Sequence, residues 1–473
     1  MRQRTAMTEP NQTEPWQMTA TAIAEAVRSR RLSATEAVQS ALHRLDRVNP
    51  TLNAVVEARH EQALAEAAAI DAAVARGEAG PMVGVPITVK INADMAGYAT
   101  TNGLFAQQHL MATADNPVIA NLRRAGAIVI GRTNAPAFSI RWFTNNALHG
   151  ATRNPHDPRL TPGGSSGGAA SAVASGIGAL AHGTDIGGSV RYPAYACGLH
   201  GLRPSLGRVP AWNSSLPERG IGPQLMAVSG PLARSIADVR LAFHTMAAPD
   251  ARDPWYVPAP LEGPPVPARV ALCRNPGGMA TVPEVDAALT AAAQRLRAAG
   301  YDVTEVTDTP PWQEATDLQV TLWLGEGYPA LLAAAEREGD VGALTVIRHF
   351  GPMATALPQD AIARALIARA TITRRWTMFL DQHPVLLVPS SGELPFADDL
   401  DVTDFARVWA AQLTQTALPL MGLPGLAVAT GRHGRTPVGV QLIGARYRED
   451  LLLAAGAAIE AGGAPIEPVF DPS

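Results

Sequence analysis

Hydrophobic residues recur at helical spacing near the start of the chain. From Val38 to Leu45 they follow at intervals of three and four, so they share one face of a predicted helix. Ser33 and Glu36, in "SATE", have the spacing of a capping box that opens it. The Ala/Glu-rich segment "ARHEQALAEAAAIDAAVARG" predicts a second helix, which ends at Gly77.

Further along, apolar residues alternate instead. "GVPITVK" predicts a strand that ends at Lys90, and "AIVIG" predicts another. Beyond a Pro-rich bridge, "RVALC", an amphipathic helix and "YDVTEV" predict a strand–helix–strand unit. "VLLV", "GLAVA" and "VGVQLIG" predict buried strands. Strands that alternate with helices indicate an α/β protein with a mixed or parallel sheet.

The same pattern suggests how the chain is organised. We expect a polar leader over residues 1–15 and a single domain over residues 16–473. Within that domain we expect the Pro-rich bridge at 248–267 and a variable helical region at about 275–380.

Composition adds few constraints. The chain has 473 residues, 47% hydrophobic and 17% charged, with a net charge of −4. These values suit a globular protein and give no indication of a nucleic-acid or membrane partner. The N-terminus has no apolar signal segment, so we expect a cytoplasmic protein. Cys197 and Cys273 form neither a disulfide framework nor a metal motif, and we expect no metal and no cofactor.

One lysine stands among 38 basic residues, and the other 37 are arginines. A GC-rich coding bias explains the missing lysines but not the retained Lys90. An arginine stays protonated at any workable pH, whereas a buried lysine can lose its proton and act as a base.

The glycine-rich stretch from Pro162 to Pro193 fits several motifs. It could be a flexible linker. Gly176, Gly178 and Ala181 match a dinucleotide-binding pattern but lack the preceding strand that this pattern needs. A phosphate-binding P-loop is excluded because the single lysine lies elsewhere in the chain.

"GSSGG" also fits the nucleophile elbow of α/β-hydrolases, with Ser166 as the nucleophile. The residues before it form a proline-broken loop instead of the required strand. Such an enzyme would also need a partner histidine, for which the chain offers His149, His182 and His200.

A third hypothesis combines Lys90, Ser165 and Ser189. A serine hydroxyl is a weak nucleophile unless a base removes its proton, and a neutral lysine could be that base. The glycines before Ser189 would let backbone N–H groups turn toward a reacting carbonyl.

The motifs "GVPITVK", "TPGGSSGGAA", "GTDIGGSVRYPA" and "GLHGLRPS" occur in the order and spacing of the amidase signature family, which the chain resembles. The resemblance is strongest over residues 84–238. It implies an α/β fold in which a large mixed β-sheet core is surrounded by α-helices.

The resemblance also implies a catalytic triad. Ser189 matches the nucleophile, Ser165 the serine that follows a cis peptide bond, and Lys90 the base. The implied proton route runs from Ser189 through Ser165 to neutral Lys90 and later returns to the leaving amine.

Further roles follow from the same resemblance. The implied oxyanion hole consists of the backbone amides of Ile186, Gly187, Gly188 and Ser189. Asp185 and Arg191 match positions that brace this loop, and Ser166 matches a hydrogen-bonding support. Family members often carry an aspartate directly after the lysine, where this chain has Ile91 followed by Asn92. This departure concerns substrate preference.

For the substrate, the resemblance places Ser139 and Ile140 beside the scissile group, and Trp142 and Phe143 are candidates for an apolar pocket. We expect an amidase that hydrolyses small aryl or alkyl amides with water, and carbamates and esters as extensions. A glutaminase subunit of a transfer-RNA amidotransferase and a non-catalytic binding protein stay open as alternatives, as does a homodimer.

Overall fold

The computed structural model describes residues 14–325, 327–355, 357–469 and 471–472. Most of the predicted leader therefore lies outside the described residues. Within them the strands form one sheet of eleven, in the order β1-β3-β2-β4-β6-β5-β10-β11-β9-β7-β8. They are β1 (Val55–Ala58), β2 (Pro86–Lys90), β3 (Ile128–Thr133), β4 (Leu180–Asp185), β5 (His200–Arg203), β6 (Val228–Ala233), β7 (Arg269–Leu272), β8 (Asp302–Glu305), β9 (Val385–Pro389), β10 (Gly425–His433) and β11 (Thr436–Gly444).

The sheet is mixed. Parallel pairs join β2 to β3 and β4, and β7 to β8 and β9, while the central strands pair antiparallel. Every residue of β2 and β3 is buried, because helices cover both faces there. The predicted α/β class with a large mixed sheet is confirmed.

Helices surround the sheet. They are α1 (Ala20–Arg28), α2 (Ala34–Leu52), α3 (His60–Ala75), α4 (Pro117–Arg124), α5 (Gly167–Ala174), α6 (Arg191–Ala196), α7 (Ile221–Met226), α8 (Ile236–Met246), α9 (Pro283–Ala298), α10 (Gln313–Leu324), α11 (Tyr328–Glu338), α12 (Val341–Thr355), α13 (Ala361–Gln382), α14 (Leu400–Thr403), α15 (Phe405–Ala411), α16 (Leu413–Thr416), α17 (Leu418–Met421) and α18 (Glu449–Ala461). Across the described residues, none combines the length and apolarity needed to cross a membrane.

Several local predictions are confirmed. The capping box forms at the start of α2: the Glu36 N–H donates to Ser33 Oγ at 3.0 Å, and the Ser33 N–H donates to Glu36 Oε2 at 2.8 Å. Helix α3 ends just before Gly77, which has a φ of +85°. The strand–helix–strand unit is β7, α9 and β8, with its two strands parallel.

The glycine-rich stretch is packed into the core, so a flexible linker is the wrong interpretation. It builds α5 and β4 and leads into α6, and nearly all its residues are buried. The dinucleotide hypothesis also fails, because Gly176 and Gly178 follow helix α5, whereas the motif needs a strand before it and a helix after it. Glycine is needed at residue 164, where a Cβ would overlap the carbonyl oxygen of Arg141.

We predict that Gly164→Ala lowers the free energy of unfolding by about 1–3 kcal/mol, because the added methyl group has no space. The measurement is urea denaturation followed by circular dichroism. Gly187→Ala is the matched control from the same stretch, since its nearest neighbour would be 3.9 Å away. Equal stability of the two variants would contradict tight packing at residue 164.

Candidate active site

Lys90 is the last residue of strand β2, and it lies in the interior of the protein with 0% exposure. Its Nζ lies 2.7 Å from Ser165 Oγ and 3.1 Å from Thr184 Oγ1. Burial lowers the pKa of Lys90 to about 7, although the Asp185 carboxylate acts in the opposite direction. A neutral amine is therefore accessible near pH 7, as a base requires.

Ser165 occupies the turn that precedes helix α5, and the peptide bond between Gly164 and Ser165 is cis. Ser189 follows the loop after β4 and is 6% exposed. Both serines line one cavity of about 280 Å³, together with Thr184. The structure thus brings the three predicted triad residues to a single site from three separate segments.

A buried carboxylate organises the loop between β4 and Ser189. Asp185 accepts hydrogen bonds from the N–H groups of Gly188 at 3.0 Å and Val190 at 3.2 Å. Arg191 binds it through two guanidinium nitrogens, each at 3.0 Å, and Arg203 binds it at 3.1 Å. Burial alone would raise the pKa of Asp185, but the two arginines hold it below its ordinary value.

The carbonyl groups of this loop are fixed as well. Each of the four carbonyls from residue 185 to residue 188 accepts a hydrogen bond from another part of the protein. The pairs are Asp185 with Arg203 Nη1 at 2.7 Å, Ile186 with Gln319 Nε2 at 3.0 Å, Gly187 with Trp142 Nε1 at 2.8 Å, and Gly188 with the Tyr192 N–H at 2.8 Å. In a trans peptide the next N–H points the opposite way, so these bonds also orient four N–H groups.

One of those N–H groups departs from the sequence expectation. The Gly188 N–H donates to Asp185, so it is already engaged and is not offered to a substrate. Within the described part of the chain, the N–H groups of Ile186, Gly187 and Ser189 meet no acceptor at hydrogen-bonding distance. Of the four N–H groups that the resemblance assigns to an oxyanion hole, those three are therefore not engaged within the protein.

Ser166 has a supporting position. Its Oγ accepts from the Thr184 N–H at 3.3 Å and donates to the Thr184 carbonyl at 3.4 Å. A loop precedes it instead of a strand, and the three candidate histidines face other groups: His149 faces Thr101, His182 faces Ser229, and His200 faces Glu460. The nucleophile-elbow hypothesis is therefore unsupported.

Two cavities meet at Ser139, Ser189 and Trp323. The larger has a mixed lining whose polar part includes Asn92, Ser165 and Thr184, and we call it the polar cavity. The other is narrower, about 20 Å³, and rich in aromatic residues, with a lining that includes Ile140, Trp142, Trp323, Phe350, Phe405 and Trp409 beside the paired Arg141 and Asp401. The scissile bond of a substrate on Ser189 would lie between a polar and an aromatic compartment.

The predicted substrate residues divide between these compartments. Ser139 lines both, and its Oγ donates to Asn102 Oδ1 at 2.6 Å. Phe143 differs from the expectation, because it is fully buried in the core and stacks on Phe396. Ile91 is also buried, and its neighbour Asn92 is the residue that lines the polar cavity.

Among the residues that contact Lys90 or the loop before Ser189, sequence reasoning missed three. Thr184 precedes Asp185 in a quoted motif, and Arg203 lies in "GLHGLRPS", so both had a signal without an assigned role. Gln319 is more than 130 positions along the chain from Ile186, which it contacts, and no sequence motif pointed to it. No cluster of three or more His, Cys, Asp or Glu side chains suited to a metal occurs in the described residues.

Comparison with known proteins identifies the family. A family model described as Amidase matches residues 36–453. The chain belongs to the amidase family. It is 44% identical over 457 residues to an indoleacetamide hydrolase of Bradyrhizobium diazoefficiens, covering 94% of this chain and 86% of the relative. It is 34% identical over 469 residues to an acylamidase of Rhodococcus erythropolis, covering 93% of this chain and 94% of the relative.

A solved structure agrees with this assignment. The amidase superposes with a TM-score of 0.83 on a bacterial aryl acylamidase of the amidase signature enzymes, with 25% identity over 96% of this chain and 97% of the other. The resemblance drawn from the sequence motifs is thus confirmed, and amide hydrolysis is the supported activity.

We predict that kcat/KM for amide hydrolysis falls about tenfold per pH unit below pH 7 and is level above it, because Lys90, the base predicted from the sequence, can accept a proton only when it is neutral. The measurement is a pH–rate profile in buffers of constant ionic strength. Activity that stays constant from pH 5 to pH 9 would contradict a lysine base.

Proposed function

We propose that this amidase is a serine hydrolase that cleaves the C–N bond of small aromatic amides through an acyl-enzyme on Ser189. The observation that carries the proposal is the 2.7 Å contact of buried Lys90 with Ser165, which lines the same cavity as Ser189. This arrangement supplies a base, a relay hydroxyl and a nucleophile in one place.

Acylation begins with proton transfer. Neutral Lys90 takes the Ser165 proton while Ser165 takes the Ser189 proton. Ser189 Oγ bonds to the amide carbon, and the carbonyl π electrons move to oxygen. The N–H groups of Ile186, Gly187 and Ser189 hydrogen-bond the resulting oxyanion.

The tetrahedral intermediate then collapses. The C–N bond breaks, the leaving nitrogen receives a proton through Ser165, and the free amine departs. Water next attacks the ester carbon on Ser189, giving its proton to the same relay. Release of the carboxylic acid restores the serine hydroxyl and neutral Lys90.

The two compartments suggest the class of substrate. An aryl or arylalkyl acyl group suits the aromatic pocket, while the polar cavity beside Ser165 suits a small leaving amine or ammonia. The name of one relative supports an arylalkyl acyl group, since that protein acts on indoleacetamide. We therefore propose primary arylacetamides, including indole-3-acetamide, as substrates.

The aromatic pocket must widen to admit such a group, because its free space is only about 20 Å³. Trp323, Phe405 and Trp409 are partly exposed, so these rings have room to move apart. Rotamer changes of this kind are common at binding sites.

Esters and carbamates of the same acyl groups present a carbonyl to the same nucleophile, and we propose both as secondary substrates.

The glutaminase alternative predicts a different behaviour. It requires partner subunits for activity, whereas the proposed amidase turns over arylacetamides alone. An aromatic acyl pocket favours the amidase, since glutamine has no aryl group. A non-catalytic binding protein would bind amides without turnover.

A cytoplasmic location and a homodimer both stay predictions.

We predict that Ser189→Ala and Lys90→Ala each lower kcat for indole-3-acetamide by at least about 10³-fold, because each removes a member of the relay. Ser171→Ala, a buried serine of α5 outside the cavity, is the matched control.

Labelling provides a direct check of the nucleophile. A fluorophosphonate should form one adduct, and peptide mapping should place it on Ser189. An adduct on Ser166 would contradict the proposal in favour of an elbow-type hydrolase.

We predict that Phe405→Ala lowers kcat/KM for indole-3-acetamide about tenfold while that for acetamide changes less than about twofold, since only the larger substrate buries apolar surface against the ring. The matched control is Phe105→Ala, a 44% exposed phenylalanine that lines neither cavity. Equal losses for both amides would show that Phe405 does not contact the acyl group.

A further inference from the structure

The oxyanion loop is held in part by a helix far from it in sequence. Gln319, on α10, is 0% exposed and donates from Nε2 to the Ile186 carbonyl at 3.0 Å. The Ile186–Gly187 peptide is trans, so the Gly187 N–H points away from Gln319. Gln319 therefore sets the direction of one of the three available N–H donors.

The carbonyl oxygen of the Gln319 side chain lowers the stability of the folded protein. This atom, Oε1, is buried and has no hydrogen-bond partner among the residues that the structure describes. A buried carbonyl oxygen without a partner costs free energy, and an apolar side chain of the same length would avoid that cost. A glutamine here is thus explained by what its N–H group does.

Helix α10 also reaches the substrate compartments. Trp323 lies one turn beyond Gln319 and lines both cavities. A Cβ placed on Gly187 would lie 3.9 Å from Trp323 and 4.0 Å from Gln319 Nε2. The same helix face therefore lies against the loop before Ser189 and against both cavities.

We propose that Gln319 is a positioning residue, which orients the Gly187 N–H toward the oxyanion by holding the Ile186 carbonyl. This inference rests on the proposed function, because it assumes a tetrahedral intermediate on Ser189. It makes Gln319 necessary for the rate of the chemical step and unnecessary for substrate binding or for folding.

The test is Gln319→Met, which keeps the length of the side chain and removes both polar atoms. We expect kcat for indole-3-acetamide to fall about 10- to 100-fold, less than the loss seen when an oxyanion donor is removed outright. KM should change less than about twofold, because the ground-state carbonyl gains little from the hole. The thermal unfolding midpoint should stay equal or rise.

A second pair of measurements distinguishes stabilisation of the oxyanion from binding of the substrate. Phenylacetaldehyde can form a hemiacetal with Ser189, and its inhibition constant should weaken by the same factor as kcat. Phenylacetamide binding to Ser189→Ala should be unchanged when Gln319→Met is added, as measured by calorimetry. Thr316→Val, on the same helix, is the matched control, because it removes a buried hydrogen bond to Thr416 without touching the loop.

Each outcome decides the proposal. Unchanged kcat in Gln319→Met, or equal losses of kcat and amide binding, would overturn it. A failure to fold in both Gln319→Met and Gln319→Leu would also overturn it, since the position would then be structural. If Ser189→Ala keeps amide turnover, the proposed function itself fails, and that result does not depend on Gln319.

Discussion

The Lys90 side chain is fully buried, and the mechanism that we propose for this amidase depends on that desolvation. A charged ammonium group is stabilised by water, so complete burial favours the neutral form and lowers the pKa to about 7. The nearest polar contacts are the hydroxyls of Ser165 and Thr184. Hydroxyls solvate an ammonium far less than bulk water does, so the amine is left basic and ready to take a proton.

Asp185 is also buried, but it keeps its charge, whereas burial favours the neutral form of Lys90. Asp185 stays ionised because Arg191 and Arg203 contact it, and it then binds the Gly188 and Val190 N–H groups. Removing one partner of such a buried pair costs several kcal/mol, typically about 3–5. The loop before Ser189 is therefore held by buried contacts that are costly to break. A preorganised set of donors has no reorganisation cost when charge develops on the substrate oxygen.

Much of the fold was predictable because local pattern and burial agree. Strands β2, β3, β7 and β9 to β11 contain apolar runs, β8 was predicted from "YDVTEV", and the first helices carry caps and amphipathic spacing. Strands β1, β4, β5 and β6 were not predicted. "LAHGTD" and "VSGPLA" are rich in small and polar residues, and neighbouring strands and helices supply the burial that keeps them extended.

The candidate site likewise contains some residues that the sequence predicted and others that it could not predict. Lys90, Ser165 and Ser189 were predicted because motif spacing and the single lysine point to them. The engagement of the Gly188 N–H was not, because sequence cannot show which way a peptide unit faces. Gln319 and Phe405 belong to a helical region without a motif, and only folding places them beside Ser189.

The central claim is that Lys90 is neutral when the enzyme works, and the chain allows a direct test because it has no other lysine. Incorporation of lysine labelled with ¹³C at Cε into the untagged protein gives one lysine resonance that needs no assignment. Its chemical shift should titrate with a midpoint near pH 7. A midpoint near the ordinary lysine value of about 10.4 would contradict the account, because the amine would then be protonated and unable to act as a base.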